Sequence, residues 1–333
     1  MNLKTRYLGF ELRSPLMPGA SPLADSLDTV RELEDAGAGA IVLRSLFEEQ
    51  ITQEHEHFQA ALSHGESSAE AISYFPRAEE FALGPDQYLE HVRHIKAAVG
   101  IPVIASLNGI TAAGWLHHAQ LIAQAGADAL ELNVYYLPTD ADETGAIVEK
   151  RTLQILRLVK RAVAIPVAVK LSPFFSSLPH FTRELRIGGA DALILFNRFF
   201  QPDINIETLQ AVPRLHFTEP SELLLRLRWL AVLYGGLLAP LAVSGGVNDG
   251  FDAIKAVMAG ASAVQMVSAL IAHGPAHLTA VQVQMERWME EHEYESIEQM
   301  RGSMSLHRCP DPAGFTRANY MRMMQGWQKL QVG

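Results

Sequence analysis

Residues 123–133 read AQAGADALELN, and residues 164–172 read AIPVAVKLS. The first is a helix end, a Gly-Ala stop and an apolar run. The second places a proline just before an apolar run. Both signatures recur and take turns. The Gly-Ala form returns in DAGAGAIVLRS (35–45), RIGGADALILFN (186–197) and VMAGASAVQMV (257–267). The proline form returns in RSPLMPGAS (13–21), GIPVIASLN (100–108) and APLAVSGGV (239–247), so the two alternate through eight runs. Each run is short and nearly continuous in apolar residues, as expected of a parallel strand buried on both faces. The glycine supplies a left-handed helix stop before the strand. A proline at a strand entrance loses little, because its missing N–H is not yet needed by a ladder.

Helix-length segments lie between the runs, among them SLDTVRELEDA (26–36), DQYLEHVRHIKAAV (86–99), GWLHHAQLIAQA (114–125) and KRTLQILRLVKRAV (150–163). Eight strands alternating with helices predict an α/β chain folded as a single (β/α)8 TIM barrel over residues 1–333. A doubly wound sheet in two domains would want G-x-G-x-x-G after the first strand, and the turn there is PGASPLADS. Two connections are overlong, 46–85 after the second strand and 198–221 after the sixth. Both start at strand C-termini, so both are expected to lie over the active face with some structure of their own.

Composition narrows the function classes. The 333 residues are 48% hydrophobic and 19% charged, enough apolar material for a large core, and the net charge of −10 argues against a nucleic-acid partner. The single cysteine, Cys309, excludes an internal disulfide framework and a thiolate metal site and suits a reducing compartment. MNLKTRYLGF lacks the apolar segment of a signal peptide. The longest apolar run, WLAVLYGGLLAPLAV (229–243), is shorter than a membrane span and is broken by Gly-Gly and Pro240. A soluble cytoplasmic chain without a membrane partner is expected.

In a barrel, chemistry belongs at the C-terminal strand ends. Those ends carry Ala20 and Ser21, Arg44 and Ser45, Asn108, Asn133 with Tyr135 and Tyr136, Lys170, Asn197, Ser244-Gly245-Gly246, and Val267-Ser268. The set is rich in amide and cationic donors, and its one carboxylate, Glu131, falls inside a strand. A metal-assisted lyase would want Asp, Glu or His there, so no metal is expected. Gly245-Gly246 either turn a βα corner or form a backbone nest. With Val267-Ser268 they predict the phosphate cradle that barrels build between strands seven and eight. Lys170, on an apolar strand, either stabilises an anion or serves as a Schiff-base former. Asn133 and Asn197 either make turns or offer fixed amides to a planar ring. The histidines of EHEHF (54–58) and His117-His118 read as solvated faces rather than metal ligands, and Cys309 as a tail residue.

Together these stretches resemble the class 1 dihydroorotate dehydrogenases. The residues that carry the resemblance are Lys170 in VAVKLSPFF, the SGGV turn, VQMVSALIAHGP, ALELNVYYLP and the late helix MERWMEEHEYESIEQMRGS, across nearly the whole chain. The resemblance implies an FMN-binding barrel. Ala20, Ser21 and Ser45 would lie along the flavin, and Lys170 at its pyrimidine edge. Ser244, Gly245, Gly246, Val267 and Ser268 would hold its phosphate, and Asn108, Asn133 and Asn197 would line the flavin and substrate pocket. Where the family has Asn-Leu-Ser-Cys-Pro-Asn, this chain has Asn133-Val134-Tyr135-Tyr136-Leu137-Pro138, so Tyr136 takes the place of the proton-transferring cysteine. Arg44 replaces the usual lysine after the second strand, and SYFPRAEEF (73–81) offers no clear substrate asparagine.

The implied activity is hydride exchange between FMN and a C–C bond conjugated to a carbonyl, with dihydroorotate/orotate or a related compound as substrate. Tyr136 or Tyr135 would carry the proton, unless both are plain aromatic walls; Lys170 would steady the reduced flavin, and Arg44 would hold a substrate carboxylate. A phenol has an ordinary pKa near 10, which makes it a better acid than base at neutral pH. The electron acceptor is not named by the sequence, and a homodimer is expected. Two other functions fit the same strand ends: a phosphate-binding barrel lyase with Lys170 as Schiff base, and a non-catalytic flavin binder.

Overall fold

Each of the eight apolar runs contains one strand of a single parallel sheet. In the computed structural model, residues 1–48, 50, 84–109, 112–198, 203–212, 216–312 and 319–326 are described. The chain begins with a hairpin that the repeat does not announce, β1 (Thr5–Tyr7) and β2 (Phe10–Leu12). Then follow β3 (Leu16–Pro18), α1 (Leu27–Asp35), β4 (Ile41–Phe47), α2 (Pro85–Ala98), β5 (Val103–Gly109) and α3 (Ala112–Gln124). Next are β6 (Ala129–Val134), α4 (Gly145–Ala162), β7 (Val167–Leu171), α5 (Leu178–Ile187) and β8 (Ala192–Leu195). A small hairpin, β9 (Asp203–Asn205) and β10 (Gln210–Val212), precedes α6 (Leu223–Leu233) and β11 (Leu241–Ser244). The chain closes with α7 (Gly250–Ala259), β12 (Ala261–Met266), α8 (Ser268–His273), α9 (His277–Glu291), α10 (Ile297–Met300) and α11 (Asn319–Gln325).

The sheet order is β3-β12-β11-β8-β7-β6-β5-β4, with all neighbours parallel. The Gly39 N–H donates to the Leu16 carbonyl at 2.8 Å and brings the two free edges together. The result is the expected (β/α)8 barrel. The glycine of each Gly-Ala signature, Gly37, Gly126, Gly189 and Gly260, takes a positive φ between a helix and its strand, as a left-handed stop requires. Of the first long connection, only residues 46–48, 50, 84 and 85 fall among the described ones, so EHEHF and SYFPRAEEF lie outside them. The second long connection holds the β9–β10 hairpin.

The GADAL repeat also encodes a fastening that its Gly-Ala pair does not reveal. Asp128 accepts from the Lys96 ammonium (2.6 Å) and from Val103 N–H (2.8 Å) at the entrance of β5. Asp191 does the same with Lys160 (2.7 Å) and Val167 N–H (2.7 Å) at the entrance of β7. Each aspartate thus ties a helix to the start of a neighbouring strand on the face away from the C-terminal strand ends, where barrel residues serve stability.

Inside the barrel the strands alternate more than continuous apolar runs suggest. Ala129, Ala168, Ala192, Ala242 and Ala263 pack together in the lumen with Met17, Val42, Ile104 and Ile194. These small side chains leave room for Tyr7, Leu8 and Leu12 of the first hairpin, which plug the barrel floor. No helix among the described residues is long and apolar enough to cross a membrane.

Candidate active site

Two residues along each strand, side chains return to the same face. Above the alanine level this places Glu131 and then Asn133 on β6, Lys170 on β7, Ser106 on β5 and Gln265 on β12 in the lumen. Lys170 Nζ donates to Glu131 Oε1 and to Gln265 Oε1, both at 3.1 Å, and Gln265 Nε2 donates to Glu131 Oε2 at 2.6 Å. Strands β6 and β12 are not neighbours in the sheet, so this closed triangle spans the lumen. Glu131 and Gln265 are 1% exposed and Lys170 8%.

Lys170 is therefore neither solvent-facing nor alone, and the site is not free of carboxylates. Glu131 was set aside as an in-strand residue, yet its being in the strand is what aims it at Lys170. Sequence alternation in ALELN carried that signal; the apolar-run description concealed it. Below the triangle lies the Tyr7 phenol, buried without a hydrogen-bond partner. Burial, and then the nearby Glu131 charge, push its pKa well above the ordinary value. The Tyr88 phenol is raised as well, first by burial, while Ser106 N–H and carbonyl bracket it at 3.0 and 3.2 Å.

The remaining strand-end residues divide into three groups. At the top of β6 and β8, Asn197 Nδ2 donates to Asn133 Oδ1 at 2.8 Å, so the two amides fix each other rather than each making a turn. Asn108 lies beside Asn133 in register. Between β4 and β5, Ser45 Oγ and Ser106 Oγ share a hydrogen bond of 2.8 Å. Arg44 is paired with Asp25 at 2.5 Å, yet its Nε is buried with no partner. Ser21 Oγ is likewise buried and unpartnered. Ala20 is half-buried beside it. Buried polar atoms without partners are costly unless something meets them, and each of these two belongs to a residue the strand-end pattern singled out.

The third group is the end of β11 and β12. Gly245 and Gly246 have φ of +90° and +78°. A side chain on Gly246 would meet the Leu223 main-chain nitrogen at 2.6 Å, and one on Gly245 the Arg226 guanidinium at 2.9 Å. The close approach of α6 thus requires glycine here whether or not a ligand binds. Arg226, unremarked in the sequence, is 6% exposed and donates to the Ser244 carbonyl (2.5 Å) and the Glu222 carbonyl (2.6 Å). Burial pushes its pKa down; Glu222 opposes this and Arg198 adds to it. The Arg226 guanidinium thus lies directly under the Gly245 turn, with Glu222 Oε2 4.0 Å from its Nη2. Alongside, Ser268 Oγ accepts from Thr218 N–H (2.9 Å) and Thr218 Oγ1 (3.1 Å), fastening the β8–α6 connection to the start of α8 next to Val267.

After β6 the chain carries a second closed triangle. Tyr136 OH donates to Glu143 Oε2 at 2.5 Å, and Arg151 Nη2 donates to Glu143 Oε1 at 2.5 Å. The Arg151 guanidinium carbon lies 4.0 Å from the Tyr136 ring centroid. Glu143 is 8% exposed at its side chain. The hydrogen bond with Tyr136 does most to raise the Arg151 pKa, burial opposes it, and Glu143 adds to the rise. Tyr136 is thus a bonded phenol rather than a plain aromatic wall. No spacing rule in the sequence marks Glu143 or Arg151.

No group of three or more His, Cys, Asp or Glu among the described residues could hold a metal. His117 and His118 meet edge to face with ring centroids 5.5 Å apart, and Cys309 Sγ donates to the Asp311 carbonyl at 3.2 Å.

A family model described as dihydroorotate dehydrogenase matches residues 81–289. The chain belongs to the dihydroorotate dehydrogenase family. Its resemblance to class 1 members, read from strand-end residues, is borne out by the curated relatives. The catalytic subunit of dihydroorotate dehydrogenase B (NAD(+)) from Methanothermobacter thermautotrophicus is 26% identical over 308 residues, covering 90% of this chain and 97% of that protein. Its counterpart from Methanocella arvoryzae is 30% identical over 272 residues, 79% of this chain and 85% of that protein. The one from Geobacter sp. (strain M21) is 28% identical over 232 residues, 67% and 75% respectively. This family member is accordingly an oxidoreductase of the dihydroorotate dehydrogenase type.

Proposed function

We propose that this chain binds FMN and exchanges hydride with a C–C bond conjugated to a carbonyl, in dihydroorotate/orotate or a related compound. The observation that carries this reading is Lys170. Its ammonium donates to a buried carboxylate and a buried amide, so it is a fixed cationic donor with no lone pair to attack a carbonyl. That favours an electron-rich ring over a Schiff base.

The residues present fit the cofactor. Ser21 Oγ and Arg44 Nε are buried polar atoms awaiting a partner, beside Ala20 and Ser45. The glycine turn over Arg226, with Val267 and Ser268, suits a phosphate. Bound FMN supplies a two-electron acceptor and donor for hydride. Asn108, Asn133 and Asn197 would orient the substrate, and Arg44, with Asp25 taking part of its charge, would meet a carboxylate.

The proton at the carbon next to the hydride centre falls to Tyr136. A free phenolate is expensive at neutral pH, and the 2.5 Å bond to Glu143 supplies a way round it. As Tyr136 Oη takes a proton from substrate carbon, its own hydrogen passes to Glu143 Oε2. Reduction runs the transfer backwards. Arg151 keeps both groups in place. The relatives' printed names, catalytic subunit and NAD(+), support a separate subunit that passes electrons to NAD(+); a homodimer of the chain itself is the assembly to test beside it.

The deciding measurement is the visible spectrum of the purified protein, followed by anaerobic addition of dihydroorotate. A yellow protein bleached by dihydroorotate is the expected result. A protein that takes up no FMN overturns the cofactor reading. A yellow protein that dihydroorotate leaves oxidised, and other dihydro carbonyl compounds bleach, moves the substrate to a related compound. For the phosphate end, Arg226→Met is expected to weaken FMN binding about tenfold while leaving riboflavin binding unchanged.

A further inference from the structure

The lumen level just below the triangle is filled by alanine, valine, isoleucine and methionine, so apolar side chains could pack the next level as well. Instead it holds a carboxylate at 1% exposure. A buried ion pair is at best weakly stabilising compared with apolar residues of the same volume, so its presence calls for a role other than stability. Both carboxylate oxygens are engaged, Oε1 by Lys170 and Oε2 by Gln265, and Gln265 spends its amide oxygen on Lys170 too. Among the described residues Lys170 is the cation that Glu131 meets. The other titratable groups that feel Glu131 are the Tyr7 and Tyr88 phenols, both burdened by its charge rather than sharing it.

We infer that Glu131 is a positioning residue: anchored by Gln265, it fixes the Lys170 ammonium in the lumen and offsets its charge. The inference rests on the FMN reading only for what Lys170 then faces. Glu131 lies two residues before Asn133, and Asn133 is the register partner of Lys170. The carboxylate therefore grips the ammonium from the N-terminal side. One ammonium hydrogen goes to Glu131 and a second to Gln265. The third remains for the C-terminal side, where the strand-end amides stand. A lysine left free would spread over many rotamers, worth about 1.5–2 kcal/mol of entropy, and the two acceptors remove that freedom. Glu131 also tempers the charge. A bare ammonium would pull electron density toward the ring edge more strongly than one half-neutralised from below.

The test uses Glu131→Gln, which keeps shape and loses charge, with Glu131→Asp as a second variant that keeps charge and shortens reach. In flavin-free protein, Lys170 is labelled with a small amine-acylating reagent at fixed pH and the modified peptide is quantified. Glu131→Gln is expected to raise Lys170 labelling at least about tenfold, and Glu131→Asp by less. In protein holding FMN, the midpoint potential is expected to rise in Glu131→Gln and to fall in Lys170→Met. Unchanged Lys170 labelling in a folded Glu131→Gln would overturn the inference. So would a Lys170-sensitive potential that ignores Glu131. If Glu131→Gln does not fold, Lys170 labelling in Glu131→Asp equal to that of the unaltered chain overturns it instead. A protein that never takes up FMN removes the flavin reading alone, because the labelling comparison still decides the role of Glu131.

Discussion

Two triangles of acid, base and polar partner stand within one strand and its following loop of each other, and they are built differently. Glu131, Lys170 and Gln265 come from three strands and meet in the lumen, where every member is at least nine-tenths buried. Tyr136, Glu143 and Arg151 come from one loop and the helix it leads into, and Arg151 is 32% exposed at its side chain. In the first, position is imposed by the sheet and the dielectric is low, so neither Glu131 nor Lys170 can be removed without stranding the other's charge. In the second, the partners lie seven and eight residues apart along the chain, and water can replace what is lost. The difference teaches where this family member tolerates change. The lumen triangle is locked by the sheet, whereas the loop triangle depends on one loop and the first turns of the helix after it.

The comparison breaks first, if it breaks, on Lys170→Met. Stranding Glu131 is expected to cost about 3–5 kcal/mol in urea unfolding, and a loss under about 1 kcal/mol would show that the lumen pair is not closed. Changing Glu131 and Lys170 together to methionine is expected to recover most of that loss, since packed apolar groups replace a buried pair at little cost. Next in size is alkaline stability. The Tyr7 and Tyr88 phenols have folded pKa values raised above the unfolded value of about 10, so the unfolded chain loses protons first as pH rises. Their contribution is complete below about pH 10 and is lost above it, at roughly 1.4 kcal/mol per pH unit for each phenol. Unfolding free energies between about pH 9 and pH 11 should show this fall, and Tyr88→Phe should shallow it. A flat profile would mean the barrel floor admits hydroxide or water to those phenols.

The smallest effect on stability belongs to the loop triangle. Tyr136→Phe and Glu143→Gln are each expected to cost about 1 kcal/mol or less, as partly exposed polar contacts do. Their effect on reaction is larger: substrate reduction of the flavin should slow about 100-fold or more in Tyr136→Phe, with substrate affinity little changed. Full turnover in that variant would remove Tyr136 from proton transfer. Loss of stability on the scale of Lys170→Met would make the two triangles alike.

How much of this was legible in the chain depends on distance along it. Gly126 and Gly189 act on their own helix ends, and local rules found such stops. The strand-end set was legible too, because a barrel sends every strand C-terminus to one face. Glu143 and Arg151 were not: nothing in TDADETGAIVEKR (139–151) distinguishes a loop acid that grips a phenol from one facing water. Arg226 was hidden within LLLRLRWL, where a buried guanidinium reads as one polar position on an apolar helix. The first hairpin was missed because Tyr7 and Leu8 have meaning only as fillers of a lumen lined by alanines on five other strands.

By itself, then, the sequence determined the number of barrel strands, their alternation with helices, the residues at their C-terminal ends and the family they resemble. These follow from propensity, punctuation and period, which are properties of neighbours. Only the tertiary structure decided what those residues do to one another. Glu131 and Gln265 are 134 positions apart, and Lys170 and Gln265 are 95 apart. Their meeting requires the sheet to close, since a barrel brings non-adjacent strands within hydrogen-bond reach across its lumen. Closure also excludes the water that would otherwise screen Glu131 from Lys170, and that exclusion makes the pair a fixed feature of the site.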